Sequence, residues 1–502
     1  MTLNLLTFKE ISILPELFLG VSIIYLLIHG IFLTVNKDHP LIKNSLIYLS
    51  ILILSMTIFL LANDNLTVLE STNFNYSVIN DYLSFTSKIL IGTTSIFCLF
   101  MFNQYLTDQK INHFEYVLLI LFSILGLFLL CSSDDLLTAY LAIELQSLSF
   151  YVIAAFKKNS TFSVEAGLKY FILGAFSSSL FLFGSSLIYG ISGTINFDDF
   201  KDLYFYDFSE NALNSFDSTL LQFALVFILV SLFFKLALAP FHVWSPDVYE
   251  GSPSSSTFFF AVVPKIALFV LLLRIFYYSF YNFFDNFRYF LVLISVFSVL
   301  IGSFVGLEQR KLKSLLAYSS ISHMGYSLLA FSTGTFEGLQ MLYCYLTVYM
   351  LSGLCIWSIF FLTRLKNKYT QKQNKDLADL LLLRKSNSFL AFSFAVVLLS
   401  IAGFPPMIGF LVKFGIFLVS IEASLYFVAL ISILCSVISA FYYLRIVKVM
   451  YFEKGLAGKL YYPITSQKAI IVVLCLFLLF LLFINPTLLY LFSYKLSLLM
   501  LY

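Results

Sequence analysis

Four charged side chains stand inside apolar stretches of this sequence. Glu144, in LLTAYLAIELQSLSFYVIAAF, is about ten residues from either end of its run. Lys265, in STFFFAVVPKIALFVLLLR, and Lys413, in FPPMIGFLVKFGIF, are about as far from the nearest polar loop. Lys235 lies in VSLFFKLALAPFHVW, five residues before Pro240. A charge at the centre of an apolar span costs about 2.5–3.5 kcal/mol on insertion scales, so such groups need a use. In a low-dielectric setting desolvation favours the neutral amine, and a nearby carboxylate favours the ammonium. Moving Glu144 toward or away from Lys235 would therefore decide whether the lysine keeps its proton, a transfer step that needs no bound redox group. His323, in KLKSLLAYSSISHMGYSLLA, adds a titratable imidazole. Snorkelling is the competing reading for any one lysine. Lys235 alone admits it, because its helix could end at Pro240; for Lys265 and Lys413 the distance to a loop makes it harder.

The elements that position these groups follow from composition. Of 502 residues, 60% are hydrophobic and 11% charged, with a mean hydropathy of +0.93, so water is not the main solvent. A membrane helix needs roughly 20 apolar residues. About fourteen such segments recur between residues 14 and 494, among them 218–240, 255–279, 312–332, 387–421 and 468–494. The fold class expected is an all-α polytopic membrane protein with about 14 transmembrane helices. If each segment crosses once, one set of loops holds 20 of the 30 Lys and Arg residues and the opposite set holds 4. That asymmetry supports the count and turns the basic loops toward the matrix or cytoplasm. Of the basic residues left over, Lys9 precedes the first helix, Lys88 is placed to snorkel, and Lys169 is placed to pair with Glu165 one turn earlier. The rest are Lys235, Lys265 and Lys413, and Glu144 stands as the one deep carboxylate.

Pro240, in helix 7, and Pro405 and Pro406, in helix 12, remove backbone donors and leave carbonyls that only a polar or hydrated interior tolerates. Broken helices of this kind often line ion paths. Helices 4–8 and 9–13 number five each, so a second copy of the first set would be inverted. An offset of 178 residues carries Lys235 to Lys413 and Glu144 to the neighbour of His323. The division expected is helices 1–3 over 1–113, a first repeat over 114–280, an inverted repeat over 281–452 and a C-terminal helix over 453–502.

Other chemistries find little support. The six cysteines are scattered without a CxxC pair, and the five histidines give no pair at one-turn spacing, so no metal or haem site is expected. There is no GxGxxG or GxxxxGK[ST] loop for a nucleotide. A net charge of +3 without an aromatic-interleaved basic patch gives no reason to expect nucleic acid as a partner. PDVYEGSPSSS reads as a structured loop, and Asp247 and Glu250 in it read as contacts to a partner. The acidic start, with Glu10 and Glu16, does not read as a cleaved leader. The 59 Phe and 32 Tyr, alongside abundant Ile, Asn, Lys and Ser, suit an AT-rich genome such as an organelle's.

Four stretches taken together, FKLALAPFHVWSPDVYEGSPSSSTFFFAVVPKIALF, EAGLKYFILGAFSSSLFLFGSSLIYGISGT, RKLKSLLAYSSISHMGYSLLAF and GFPPMIGFLVKFGIF, closely resemble the subunit 2 family of respiratory complex I, NADH:ubiquinone oxidoreductase, whose bacterial counterparts are called subunit N. The resemblance runs in order from ILPELFLG to the last helix. It implies an antiporter-like membrane-arm subunit with two inverted five-helix repeats and broken helices 7 and 12. The implied activity is proton translocation driven by electron transfer from NADH to quinone in other subunits. Glu144 would pair with Lys235, Lys265 would be the connecting lysine, and Lys413 would lead to the exit or to the next subunit, with His323 on the helix 10 motif. FMN, iron–sulfur clusters and quinone would belong to other subunits, leaving no cofactor in this chain and room for structural lipids. The partners implied are other membrane-arm subunits, neighbouring antiporter-like subunits included, and the bilayer. The location implied is the mitochondrial inner membrane with basic loops facing the matrix, the bacterial plasma membrane being the alternative. Loops 193–217 and 364–385 match no motif. A stand-alone cation/proton antiporter or a membrane-bound hydrogenase subunit of the same fold is the rival function, and a passive membrane scaffold is a third.

Overall fold

The computed structural model describes residues 13–34, 41–64, 71–73, 76–109, 114–206, 215–366, 371–373, 376–381, 383–453, 464 and 466–501. Lys9, His39 and His113 lie outside the described residues, as do parts of the loops 193–217 and 364–385.

The chain is helical almost throughout, in two compact units. The first draws on Met1–Leu236, Gly251–Asn286 and Leu499–Tyr502, the second on Ala237–Glu250 and Phe287–Leu498. Helices α1 (Leu14–Thr34), α2 (Leu41–Asp64), α3 (Tyr82–Asp108), α4 (Phe114–Ser132), α5 (Leu136–Ala155), α6 (Thr161–Ser192), α7 (Phe197–Tyr206) and α8 (Ser215–Leu236) come first. Then follow α9 (Trp244–Gly251), α10 (Ser254–Val262), α11 (Pro264–Leu273), a π-helical turn (Arg274–Ser279), α12 (Phe284–Glu308), α13 (Leu312–Ser332) and α14 (Phe336–Leu362). The last are α15 (Leu383–Ser386), α16 (Ser388–Ala402), α17 (Ile408–Glu422), α18 (Tyr426–Tyr451), α19 (Ser466–Ile484) and α20 (Thr487–Leu501). Two short antiparallel hairpins join them: β1 (Ser71–Asn73) with β2 (Val78–Asn80), and β3 (Arg364–Lys366) with β4 (Gln371–Gln373).

Among the described residues, 12 helices are long and apolar enough to cross a membrane. Two expected spans are not among them, for different reasons. Helix α13 has the length but carries Ser314, Ser319, Ser320, Ser322, His323 and Ser327. The segment 387–421 is split into two 15-residue helices, α16 and α17. The last expected span, 468–494, is two helices parted at Asn485 and Pro486, where proline has no N–H to continue the ladder.

The breaks are built locally. Helix α8 stops at Leu236, and Ala237 takes a left-handed conformation at φ 59° before Pro240. Helix α16 begins at the Asn387 side chain, which accepts from Leu390 N at 3.1 Å, and ends where Gly403 adopts φ 88°. A third break was not foreseen: α10 and α11 part at Val263, and Pro264 opens α11 immediately before Lys265. PDVYEGSPSSS is also more helical than expected. Its residues fall on α9 and α10, because Trp244 and Val248 give the first piece a buried face at one-turn spacing.

Two glycines set a common register for the two halves of the sequence. A Cβ on Gly126 of α4 would lie 2.9 Å from Gln146 N and 3.1 Å from Ala142 O of α5. A Cβ on Gly302 of α12 would lie 2.7 Å from Ser322 N and 2.8 Å from Tyr318 O of α13. One offset of 176 residues relates all three pairs of positions. The same offset carries Asp135 to Lys311, which anchor two isolated bridges, Asp135 with Asn196 and Lys311 with Asp376, that fasten a later segment to the start of α5 and of α13; the later partners are 180 residues apart. The 178 that separates Lys235 from Lys413 therefore does not hold at this helix pair. Glu144 corresponds to Ser320, and Ser147 corresponds to His323.

Candidate functional site

In the first unit, α5 presents Glu144, Ser147 and Tyr151 on one face, at spacings of three and seven residues. Ser147 Oγ lies 3.2 Å from Glu144 O and 3.4 Å from Glu144 Oε2, with Tyr151 one turn further along the same face. Lys235 Nζ, in the last turn of α8, donates to Tyr151 Oη at 3.2 Å and lies 5.7 Å from the centre of that ring. Glu144 acts electrostatically on both Tyr151 and Lys235. Two hydroxyls thus stand between the carboxylate and the ammonium, Ser147 bonded to the first and Tyr151 to the second. Gly174 on α6 makes this arrangement fit, since a Cβ there would collide with the Tyr151 hydroxyl. Serine and tyrosine hydroxyls both donate and accept, so the series can reverse the direction of its hydrogen bonds.

Lys265 is 5% exposed and is the second residue of α11, whose residues are all buried. Helix α11 packs against α3, α4 and α8, the helix that carries Lys235. Two of the three deep lysines are therefore on touching helices, each beside a helix interruption.

In the second unit, Lys413 on α17 donates to Ile401 O at 2.8 Å and Ala402 O at 3.0 Å. These carbonyls are free because α16 ends at Ala402. A Cβ on Gly403 would come within 3.1 Å of the lysine stem. The ammonium also stands 5.4 Å from the centre of the Tyr326 ring. His323, 6% exposed, meets Tyr345 Oη through Nδ1 at 2.5 Å and Tyr443 Oη through Nε2 at 3.2 Å. Tyr326 lies between the two groups, with its ring 6.4 Å from His323 and its hydroxyl donating to Ser432 O at 3.3 Å. Lys413 and His323 thus share one aromatic cluster, and Pro405 and Pro406 lie in the gap between α16 and α17.

Several charge assignments need correction. Lys88 does not snorkel: it forms an ion pair with Glu16 at 2.5 Å, and the two side chains are 2% and 4% exposed. Glu16 is thus a buried carboxylate, in the first turn of α1, while Glu144 is at mid-helix in α5. Arg274, near the end of the expected span 255–279, is buried in the π-helical turn, where it pairs with Asp81 at 2.8 Å and donates to Cys131 O at 3.0 Å. Glu250 is engaged by Lys311 within its own unit. Lys169 and Glu165 do pair, at 2.9 Å on an exposed face. All six cysteines are buried and none is in a disulfide. His242 lies in the turn after α8, with its ring 6.4 Å from Tyr318. Among the described residues, no cluster of His, Cys, Asp or Glu could hold a metal ion.

Comparison with known proteins places this geometry. The family described as NADH:quinone oxidoreductase/Mrp antiporter, transmembrane, matches residues 133–439. NADH-ubiquinone oxidoreductase chain 2 of Marchantia polymorpha is 38% identical over 493 residues, covering 97% of this chain and 98% of that one. NADH-quinone oxidoreductase subunit N of Pelagibacter ubique is 42% identical over 442 residues, covering 88% and 89%. Among solved structures, a chain of respiratory complex I from Thermus thermophilus superposes with a TM-score of 0.77 at 28% identity, covering 95% of this chain and 98% of that one. A chain of the Mrp complex from Dietzia sp. reaches a TM-score of 0.82 at 18% identity, over 98% of this chain and 97% of that one, a likeness of fold alone.

Proposed function

This chain belongs to the NADH:quinone oxidoreductase/Mrp antiporter transmembrane family, and on that premise we propose that it is a proton-translocating membrane-arm subunit of NADH:quinone oxidoreductase. It works there beside other membrane-arm subunits, and the NADH and quinone chemistry is carried by them. FMN and iron–sulfur clusters belong to those partners on this reading. The observation that carries the relay is the alignment of Glu144, Ser147, Tyr151 and Lys235, with Ser147 bonded to the carboxylate and Lys235 to the Tyr151 hydroxyl. A membrane scaffold has no use for a carboxylate, two hydroxyls and an ammonium aligned in this way, whereas a proton relay needs such a series.

In the proposed mechanism a proton enters at Glu144 and reaches Lys235 by rearrangement of the Ser147 and Tyr151 hydrogen bonds. Lys265 receives it within the first repeat, over 114–280. Lys413 and His323 form the corresponding station of an inverted repeat over 281–452, a relation supported by the common 176-residue offset. The breaks at Pro240, Pro264, Pro405 and Pro406 leave backbone carbonyls that a hydrated path can use. On this reading α13 and the pair α16 and α17 complete fourteen crossings. The setting that fits the composition and the match to Marchantia polymorpha is the mitochondrial inner membrane, with the basic loops in the matrix.

The deciding experiment is isolation from native membranes with mild detergent. The chain is expected in a large NADH-oxidising assembly, and migration on its own would reject the reading. In that assembly, Lys235→Met and Glu144→Gln should each depress quinone-coupled NADH oxidation without preventing assembly.

A further inference from the structure

We propose that Asp134 and Asp135, at the head of α5 and ten residues from Glu144, form a proton-exchange site where the first relay meets the side with few basic residues. Loops 132–135 and 193–217 belong to that side in the alternating count. The inference rests on the relay reading above. Ten residues of helix span about 15 Å, so the pair stands at the end of the element that carries Glu144.

The corner between α4 and α5 is enclosed. Asp134 is fully buried and Asp135 is 6% exposed. Strand β2 covers it, with Asp134 N donating to Ser77 O at 3.0 Å. From the other direction the start of α7 closes on it, with Phe197 N donating to Asp134 O at 2.9 Å. Both carboxyl oxygens of Asp134 and Oδ1 of Asp135 lack any hydrogen-bond partner. Asp135 holds the N-cap position of α5 yet makes no side-chain cap bond. Neither carboxyl group is therefore spent on holding the corner together. A buried carboxylate without hydrogen bonds is costly, and taking up a proton relieves the cost.

The charged surroundings favour that proton. Asp81 precedes α3, and Asp198 and Asp199 open α7. From the π-helical turn, Arg274 is the principal compensating charge, but Asp81 already engages it. Tyr278 donates to Asp198, and Lys201 is drawn over the Tyr278 ring at 4.7 Å. Burial, then the neighbouring aspartates, push Asp134 up to about 7 against the opposing pull of Arg274. Burial and Asp199 push Asp135 up to about 6. Both values lie where a carboxyl group exchanges protons with water near neutral pH.

The second half of the chain supplies a control. Its equivalent corner makes the same bridge, Lys311 with Asp376, and the same bond, Leu377 N to Arg310 O at 3.0 Å. There the pair is Arg310 and Lys311. The corner geometry thus requires no acid, and the two aspartates need another reason. As a proton leaves, the carboxyl O–H of Asp134 breaks to water outside, and the resulting carboxylate accepts the next proton arriving along α5.

The test uses the assembled complex in sealed vesicles with Asp134→Asn, Asp134→Glu and Lys235→Met. Two quantities are read: protons moved per NADH oxidised, and the infrared C=O stretch of a protonated carboxyl group between pH 5 and 8, a window of about one unit beyond the two titrations. Asp134→Asn should lower coupled activity about tenfold and abolish a carboxyl band that titrates near neutrality, a smaller loss than the hundredfold or more of removing a sole acid–base group. Asp134→Glu should restore pumping and shift the band. Unchanged pumping and an unchanged band in Asp134→Asn overturn the exit site, provided Lys235→Met is impaired. If Asp134→Asn does not assemble, Asp134→Glu decides, and a band unmoved by that substitution overturns it. A Lys235→Met complex that pumps normally overturns the relay, and the exit site with it.

Discussion

Tyr151 stands between Lys235 and Glu144: the ammonium donates to the tyrosine hydroxyl at 3.2 Å, and Ser147, one turn back on α5, donates to the carboxylate at 3.4 Å. Tyr151→Phe keeps the ring, its packing against Tyr170 and Phe171, and the cation–π contact. It removes the hydroxyl alone. Coupled NADH oxidation should fall by roughly tenfold, short of the hundredfold or more for losing a sole proton-transfer group, while the complex still assembles. Wild-type proton flux in Tyr151→Phe would mean that proton transfer bypasses the hydroxyl.

Lys413 satisfies two carbonyls freed by the end of α16. Lys413→Met removes the charge and strands both acceptors, at about 1–3 kcal/mol for each group left unpaired. Proton flux should drop, and protease sensitivity around Gly403 should rise in membrane-embedded complex. Flux that drops without any gain in local cleavage would assign Lys413 to transport with no part in holding the break.

The Glu16–Lys88 pair has no place in the relay and tests structure alone. Glu16→Gln leaves a buried ammonium uncompensated and should destabilise by about 3–5 kcal/mol, whereas Glu16→Gln with Lys88→Met should recover most of it. Thermal unfolding of the solubilised complex, followed by loss of this subunit, reads the difference. Equal losses in the single and double variants would contradict a simple pair.

The raised Asp134 makes stability depend on pH with a definite sign. Its folded value is about 7, against about 3.9 for an unfolded aspartate. Between those values the folded chain binds more protons than the unfolded one, so stability falls as pH climbs from about 4 to about 7 and is level above. Asp134→Asn should flatten that slope in melting curves, and an unaltered slope would place the titration elsewhere.

Close backbone approach is the subject of the last test. Gly302→Val forces a branched side chain against Ser322 N and Tyr318 O, and overpacking of this kind costs about 1–3 kcal/mol. Reduced yield of assembled complex is expected, and normal yield would show that α12 and α13 can part cheaply.

Glu144, Lys235, Lys265 and Lys413 were legible because charge is scarce in this chain and a census of the loops leaves few groups unexplained. Helix spans were legible for the same reason, apolar length being a coarse signal. What escaped was pairing. Glu16 sits in the first turn of α1 and looks interfacial, and only three-dimensional packing brings Lys88 to it. Arg274 looked like the end of a span because a charge terminates a hydropathy window, while its partner Asp81 is nearly two hundred residues away. Helix α7 was hidden by the acidic composition of its loop, although Phe197, Phe200 and Tyr204, all buried, recur at helical spacing. Pro264 was visible beside Lys265, but a proline at the first position of a helix leaves no apolar gap to notice.

The bridges that fasten Asn196 to Asp135 and Asp376 to Lys311 also set a timetable. In each case the two partners are about 60 residues apart, so at about 5–20 residues per second the first strand of each latch waits several seconds on the ribosome for its mate. Until then the corner has nothing to close against. Each set of helices can lock only after its third long member has been synthesised, and a stall or truncation inside α6 or α14 leaves an open corner for quality control to find.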